Sequence, residues 1–319
     1  MRSNSFILHF KMAGDVKRFF RGSFFLILTN FSLLIAFFAL SWLLIRQNEV
    51  LGDFRESQES YDLVILGSSH GESFSRGPNR SLIENILEKK ICNLSQGQGG
   101  GIIPAKIRYA HFLRKHSAQK VIYFIDPFVF YSPEWNEKQD FSSEPLELDV
   151  FIDLLKNRVD IFRYFKSKLS KLVLGAMNHF LKPQNITPRV NSNHISSLTK
   201  VDPELVRQNF RVLYRDGVNS RFIDQYGREL ELIIQMAKAR GEEIVFISYP
   251  TLLGKVPGFD EMKSLLLKFE QRYNTKYYDF SEAIHEPKYF EDHHHLNSLG
   301  IGYFTKGYLK PLLKNKGNA

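Results

Sequence analysis

Apolar and polar positions divide the chain into one long uncharged run and a series of short ones. Residues 24–45, FFLILTNFSLLIAFFALSWLLI, carry no charge. At about 1.5 Å of rise per residue, a helix of that length crosses a hydrocarbon core of roughly 30 Å. A cleavable signal peptide would have an apolar stretch of about 7–15 residues and a small-x-small cleavage site. This run is longer and ends at Ile45-Arg46-Gln47 without such a site, so it reads as a single membrane anchor. Arg2, Lys11, Lys17, Arg18 and Arg21 precede it, while Arg46 and Arg55 follow among Glu49, Asp53, Glu56, Glu59 and Asp62. The positive-inside rule then leaves a basic tail, residues 1–23, in the cytoplasm and everything after the span outside. In a bacterium this describes a single-pass inner-membrane protein with a periplasmic or extracellular domain.

Beyond a linker at 46–60, the pattern predicts one domain over 61–313 and a short tail at 314–319. Tyr61–Leu66 (YDLVIL) is apolar, β-branched and halted by Gly67, as expected of a buried strand. A helix over Ser81–Lys90, a strand at Ile91–Leu94 and a helix from Pro104 to about His116 follow, then a third strand at Lys120–Ile125. After an interruption come a long helix over 221–240, a strand at Glu243–Ser248 and a helix at Phe259–Tyr273. A strand at Lys276–Tyr278 and a closing helix at Ser298–Leu313 complete the series. Strands separated by helices imply an α/β fold, a three-layer sandwich around a mostly parallel five-stranded sheet. In such sheets functional groups gather at the carboxyl ends of the strands.

The alternation fails between Phe128 and about Asn219, which marks an insertion at about 131–218. Within it, Ile161–Lys182 has helical spacing of Ile161, Phe162, Phe165, Leu169, Leu172, Val173, Ala176 and Phe180. Arg163, Lys166, Lys168 and Lys171 decorate the other side. One reading is an ordinary helix with a solvated basic face; another is a docking surface for anionic lipid or a membrane partner.

Composition narrows the classes. With 319 residues, 43% of them hydrophobic and 24% charged, the chain is neither disordered nor fibrous. One cysteine excludes an internal disulfide framework and a cysteine-based zinc cluster, and Cys92, in a strand-like run, reads as a small core residue. The net charge of +9 is concentrated in the N-terminal tail and in residues 156–215. No zinc finger, basic zipper or RNA-binding aromatic motif accompanies it, so nucleic acid is not an expected partner.

Two motifs carry chemistry. After the first strand stands Gly67-Ser68-Ser69-His70-Gly71. A nucleophilic serine benefits from a sharp turn at a strand's carboxyl end, where glycine permits the backbone and the following amide can hold an oxyanion. Near the other end is Glu291-Asp292-His293-His294-His295-Leu296-Asn297-Ser298-Leu299-Gly300. Asp292, three residues before His295, can orient that ring and stabilise its protonated form, while the imidazole takes the serine proton. Asn297 or Ser298 would cap the closing helix. Asp and three histidines are also metal-ligand types, but adjacent histidines cannot all point inward, and neither metal nor cofactor is expected. Tyr249-Pro250, after the fourth strand, is expected to shape the cleft wall; His70 receives no catalytic role.

Together, VILGSSHG and EDHHHLNSLG resemble the motifs of the SGNH/GDSL hydrolase superfamily, most of all its membrane-anchored envelope branch. That branch includes proteins similar to the D-alanine transfer protein of teichoic acid modification and the O-acetylation proteins of alginate pathways. The resemblance covers roughly 61–131 and 219–313. It implies a flavodoxin-like sandwich in which Ser69 is the nucleophile, His295 the general base and Asp292 its orienting partner. It further implies an oxyanion hole built from Ser69 and a glycine amide of Asn93-Leu94-Ser95-Gln96-Gly97-Gln98-Gly99-Gly100; spacing leaves both Gly97 and Gly99 open. Two departures stand out: Ser68 replaces the usual Asp of the first block, and Asp126-Pro127-Phe128 stands where the third block has its Asn. An oxyanion hole short of one donor can lose about 100- to 1000-fold in rate.

The resemblance implies a serine-dependent esterase or acyltransferase acting on a cell-envelope polysaccharide or polymer, partnered by a membrane-bound O-acyltransferase. Two alternatives differ in class. A non-catalytic binding subunit would leave Ser69, Asp292 and His295 unconverged, and a membrane-proximal lipase or lysophospholipase would have a wide apolar channel lined by the phenylalanines of 128–180.

Overall fold

The computed structural model describes residues 18–33, 35–36, 60–97, 100–138, 148–157, 159, 161–164, 166–167, 169–170, 197–254 and 256–314. Its centre is a sheet of β1 (Ser60–Gly67), β2 (Ile91–Asn93), β3 (Ser117–Phe124), β4 (Glu243–Ser248) and β5 (Lys276–Asp279). The order is β2-β1-β3-β4-β5 and every pairing is parallel. The sheet is thus wholly rather than mostly parallel. The chain reverses its direction of travel across the sheet between β1 and β3, the switch point where doubly wound sheets open a crevice.

Burial on both faces explains why the strands read as continuous apolar runs. Along β3, Val121 and Tyr123 enter one core cluster, and Ile122 and Phe124 the other; β4 divides Ile244 and Phe246 from Val245 and Ile247 in the same way. Each of the aliphatic and phenylalanine side chains among them, nearly inaccessible to water, contributes about 1.5–3 kcal/mol of apolar transfer.

Helices cover both faces. They are α1 (Asn79–Leu87), α2 (Ile102–Lys115), α3 (Leu148–Lys156), α4 (Pro203–Leu213), α5 (Ser220–Ala239), α6 (Phe259–Tyr273) and α7 (Ser298–Phe304). α2, α5 and α6 supply the first cluster, α1 and α7 the second, which gives three layers. α5 buries Phe222, Tyr226, Leu230, Ile233, Ile234 and Ala237 at three- and four-residue spacing. Its cap is Asn219, whose side chain accepts from the Arg221 N–H. α1 ends three residues earlier than the pattern predicts, because Glu88 turns left-handed at φ 57°. The closing helix passes from α7 through a π-helical turn at Thr305–Leu309 into Lys310–Lys314.

The insertion contributes α3 and α4, and α4 is capped by the Asp202 side chain with Pro203 in its first turn. The helical spacing that began at Ile161 holds for residues 161–164, 166–167 and 169–170. Its buried face needs correction: Tyr164 is inaccessible, whereas Phe162 is 81% and Leu169 54% exposed. Residues 171–182 of that stretch lie outside the described residues, as do 46–59 of the linker and 315–319 of the tail. Residues 18–33 and 35–36 are helical. Among the described residues no helix is long and apolar enough to cross a membrane; positions 34 and 37–45 of the expected anchor lie outside them.

Candidate active site

β1 delivers its last residues into a sharp turn. Gly67 has φ +139°, and a Cβ there would stand 2.5 Å from the Phe124 carbonyl oxygen, so glycine alone fits. The chain enters a single helical turn, Ser69–Glu72, capped by Ser68. Ser69 is therefore the first residue past the cap, half-buried at the carboxyl end of a central strand. From the other side Gly100 closes in: a Cβ on it would lie 2.3 Å from Ser68 Cα.

The opposite rim is a tight loop before α7. Phe290 and Leu296 form an antiparallel bridge, and the Glu291 N–H donates to the His295 carbonyl at 2.9 Å. Asn297, not Ser298, caps α7, accepting from the Gly300 N–H at 3.0 Å. Within the loop, Asp292 Oδ1 accepts from the N–H groups of His294 and His295, each at 2.8 Å. Asp292 Oδ2 accepts from His295 Nδ1 at 2.7 Å, and His295 Nε2 accepts from Ser69 Oγ at 2.7 Å. The three residues expected to act together do converge.

Charge fixes the direction of these bonds. Burial disfavours the Asp292 carboxylate, but the hydrogen bond from His295 and the fields of His294 and His295 outweigh it and hold Asp292 well below the ordinary carboxylate range. An ionised Asp292 requires the proton on His295 Nδ1, leaving the Nε2 lone pair facing the serine hydroxyl. That arrangement can accept the Ser69 proton as Oγ attacks an electrophile.

Gly97 is beside Ser69: a Cβ on it would lie 3.5 Å from Ser69 Cβ and 2.5 Å from Glu72 Oε2. Its backbone thus runs close to the Ser69 side chain. Gly99, the alternative, lies outside the described residues.

A second network escaped the sequence reading. Asp126 is more than a strand end: it is buried, and its Oδ2 accepts from Ser68 Oγ at 2.5 Å while Oδ1 accepts from His70 Nδ1 at 2.7 Å. Burial opposes its charge, yet the His70 field and the hydrogen bonds from His70 and Ser68 keep it below the usual range. The His70 ring stacks on Tyr249 with centroids 4.5 Å apart and lies 5.3 Å from the His295 ring. Tyr249 lines a cavity of about 30 Å³ with His70, Asp126, Phe128, Leu253 and His294.

The histidine run divides its labour. His293 is buried, and its Nε2 accepts from the Asp202 N–H at 2.8 Å, tying the start of α4 to the loop before α7. Leu198 N–H to the Phe290 carbonyl at 2.9 Å and Asn297 Nδ2 to Ser197 Oγ at 3.2 Å extend the tie. His294 is pushed down to about 3 by burial and by the charge of His295, against the pull of Asp292. The ligand atoms of Asp292, His294 and His295 lie within 4.8 Å of one another, close enough for one ion. A metal there would compete with the hydrogen bonds that Asp292 and His295 already make.

No protein-family model and no curated protein matches this chain.

Proposed function

We propose that this chain is a serine-dependent acyl-ester hydrolase or acyltransferase of SGNH type. In this reading Ser69 is the nucleophile, His295 the general base and Asp292 its orienting group. The observation that carries it is the continuous hydrogen-bond chain from Ser69 Oγ through His295 to Asp292, 2.7 Å at each link. Ser69 Oγ attacks an ester or thioester carbonyl as His295 Nε2 takes its proton. The imidazolium then protonates the leaving oxygen or sulfur, giving an acyl-serine that water or a sugar hydroxyl resolves. The Ser69 N–H and the Gly97 N–H are the donors this reading assigns to the oxyanion. Convergence of the three side chains favours catalysis over a purely binding role.

The apolar run 24–45 and its flanking cations support an inner-membrane anchor with the domain outside the cytoplasm. With that location, the resemblance to the membrane-anchored envelope branch favours a cell-envelope polysaccharide or polymer as substrate class and a membrane-bound O-acyltransferase as partner. Turnover of p-nitrophenyl acetate by the full chain in detergent tests the chemistry: Ser69-dependent release of p-nitrophenol is the expected result. Equal rates in the wild type and Ser69→Ala would overturn it.

A further inference from the structure

We infer that Asp126 is a positioning residue for the nucleophile, a two-armed clamp that holds both neighbours of Ser69; this rests on the acyl-ester reading above. One carboxylate oxygen takes Ser68 Oγ at 2.5 Å and the other takes His70 Nδ1 at 2.7 Å, so residues 68 and 70 are fixed from the end of β3. Ser69, between them, can shift its backbone only by breaking an arm, and its Oγ is then held in one rotamer by His295 Nε2 at 2.7 Å.

The surroundings reinforce both arms. Ser68 is pressed by the close approach of Gly100, with a hypothetical Cβ only 2.3 Å from its Cα. His70 is sandwiched against Tyr249 from the end of β4, 4.5 Å between centroids with the planes 10° apart. The clamp thus draws on β1, β3 and β4 to fix one hydroxyl. Asp126 is buried with His70 Nδ1 against it, so its charge is spent on that pair and on the Ser68 hydroxyl. A buried carboxylate without such partners would be costly and would repel negative charge on the substrate.

An amide at position 126 keeps the shape but leaves one accepting oxygen where the carboxylate had two. The test compares the full chain with Asp126→Asn and Ser68→Ala, using a fluorophosphonate probe and thermal unfolding. With Asp126→Asn, maximal labelling of Ser69 is expected to slow by about 10- to 100-fold, the scale for a nucleophile misplaced by about 1 Å. Half-saturating probe concentration should stay close to wild type, the unfolding midpoint should fall as the charge-assisted bonds to Asp126 are lost, and the labelling rate of Ser68→Ala should fall between the two. Wild-type labelling rates in both variants would overturn the clamp. Crystal structures of the same two variants decide the matter independently of activity. The clamp requires Ser69 Oγ to leave hydrogen-bonding reach of His295 Nε2 while the His295–Asp292 bond persists; an unmoved Ser69 contradicts it. A wild-type chain that takes no adduct would defeat the acyl-ester reading, leaving the clamp to be judged by those structures.

Discussion

Ser69 Oγ donates to His295 Nε2 across 2.7 Å, although the two residues are 226 positions apart in the chain. Each is delivered by a local device: Ser69 by the Gly67 turn that ends β1, His295 by the loop that Asp292 ties to its own backbone. The sheet brings the two devices to one edge.

Because Asp292 holds the proton on His295 Nδ1, Asp292→Asn should leave the ring in place with the wrong tautomer. The expected cost is about 10⁴-fold in acylation rate, with stability at neutral pH lowered by loss of the interactions that depress Asp292. Stopped-flow labelling of the variant and the wild type checks this; a loss below tenfold would show that Asp292 does not orient the base.

The acid limb of stability should bear the mark of His294. Its folded value, about 3, is below its ordinary 6.5, so the unfolded chain binds a proton that the folded chain refuses as pH falls from about 6.5. The depressed Asp292 and Asp126 act in the same direction at lower pH, since the folded state keeps them charged while the unfolded chain protonates. Stability is therefore full above about pH 6.5 and declines progressively below it. At about 1.4 kcal/mol per unit, His294 contributes a few kcal/mol of that decline by pH 3. In urea titrations from pH 7.5 to 4, His294→Gln should flatten the upper part of the slope; an unchanged slope would contradict the assignment.

Gly97→Ala adds a methyl 2.5 Å from Glu72 Oε2 and 3.5 Å from Ser69 Cβ. The Glu72 carboxylate, already paired with Arg76 at 3.1 Å near the surface, can swing away, so stability should be nearly retained. A substrate carbonyl has no such freedom, and acylation should fall by about 10- to 100-fold. Full acylation in a folded Gly97→Ala would place the oxyanion elsewhere.

His293→Ala removes the acceptor for the Asp202 N–H, a loss of about 0.5–1.5 kcal/mol. Amide exchange in 198–206 should accelerate while the core strands stay protected. Unaltered exchange there would mean that the remaining contacts alone hold α4 to the catalytic loop.

Much of this molecule is legible from sequence because its signals are local. Glu243–Ser248 and Phe259–Tyr273 have the bounds that the apolar pattern predicts, and D-x-x-H ahead of a capped helix yields Asp292 and His295. What escaped is non-local. Asp126 is 58 positions from Ser68 and 56 from His70, and an Asp-Pro after a strand has the appearance of a turn. His293 looks like its neighbours until the insertion folds back and supplies the Asp202 amide. The exposure of Phe162 likewise depends on which side of its helix meets the core, which periodicity alone does not orient. The π-helical turn at Thr305–Leu309 leaves no trace in an apolar pattern that runs through it.

The most direct measurement is the intact mass of the full chain in detergent after treatment with a fluorophosphonate. The expected result is a single adduct on wild type, mapped to Ser69, absent from Ser69→Ala and severely slowed in His295→Ala. A folded wild-type chain that stays unmodified, or an adduct that survives Ser69→Ala, would contradict it.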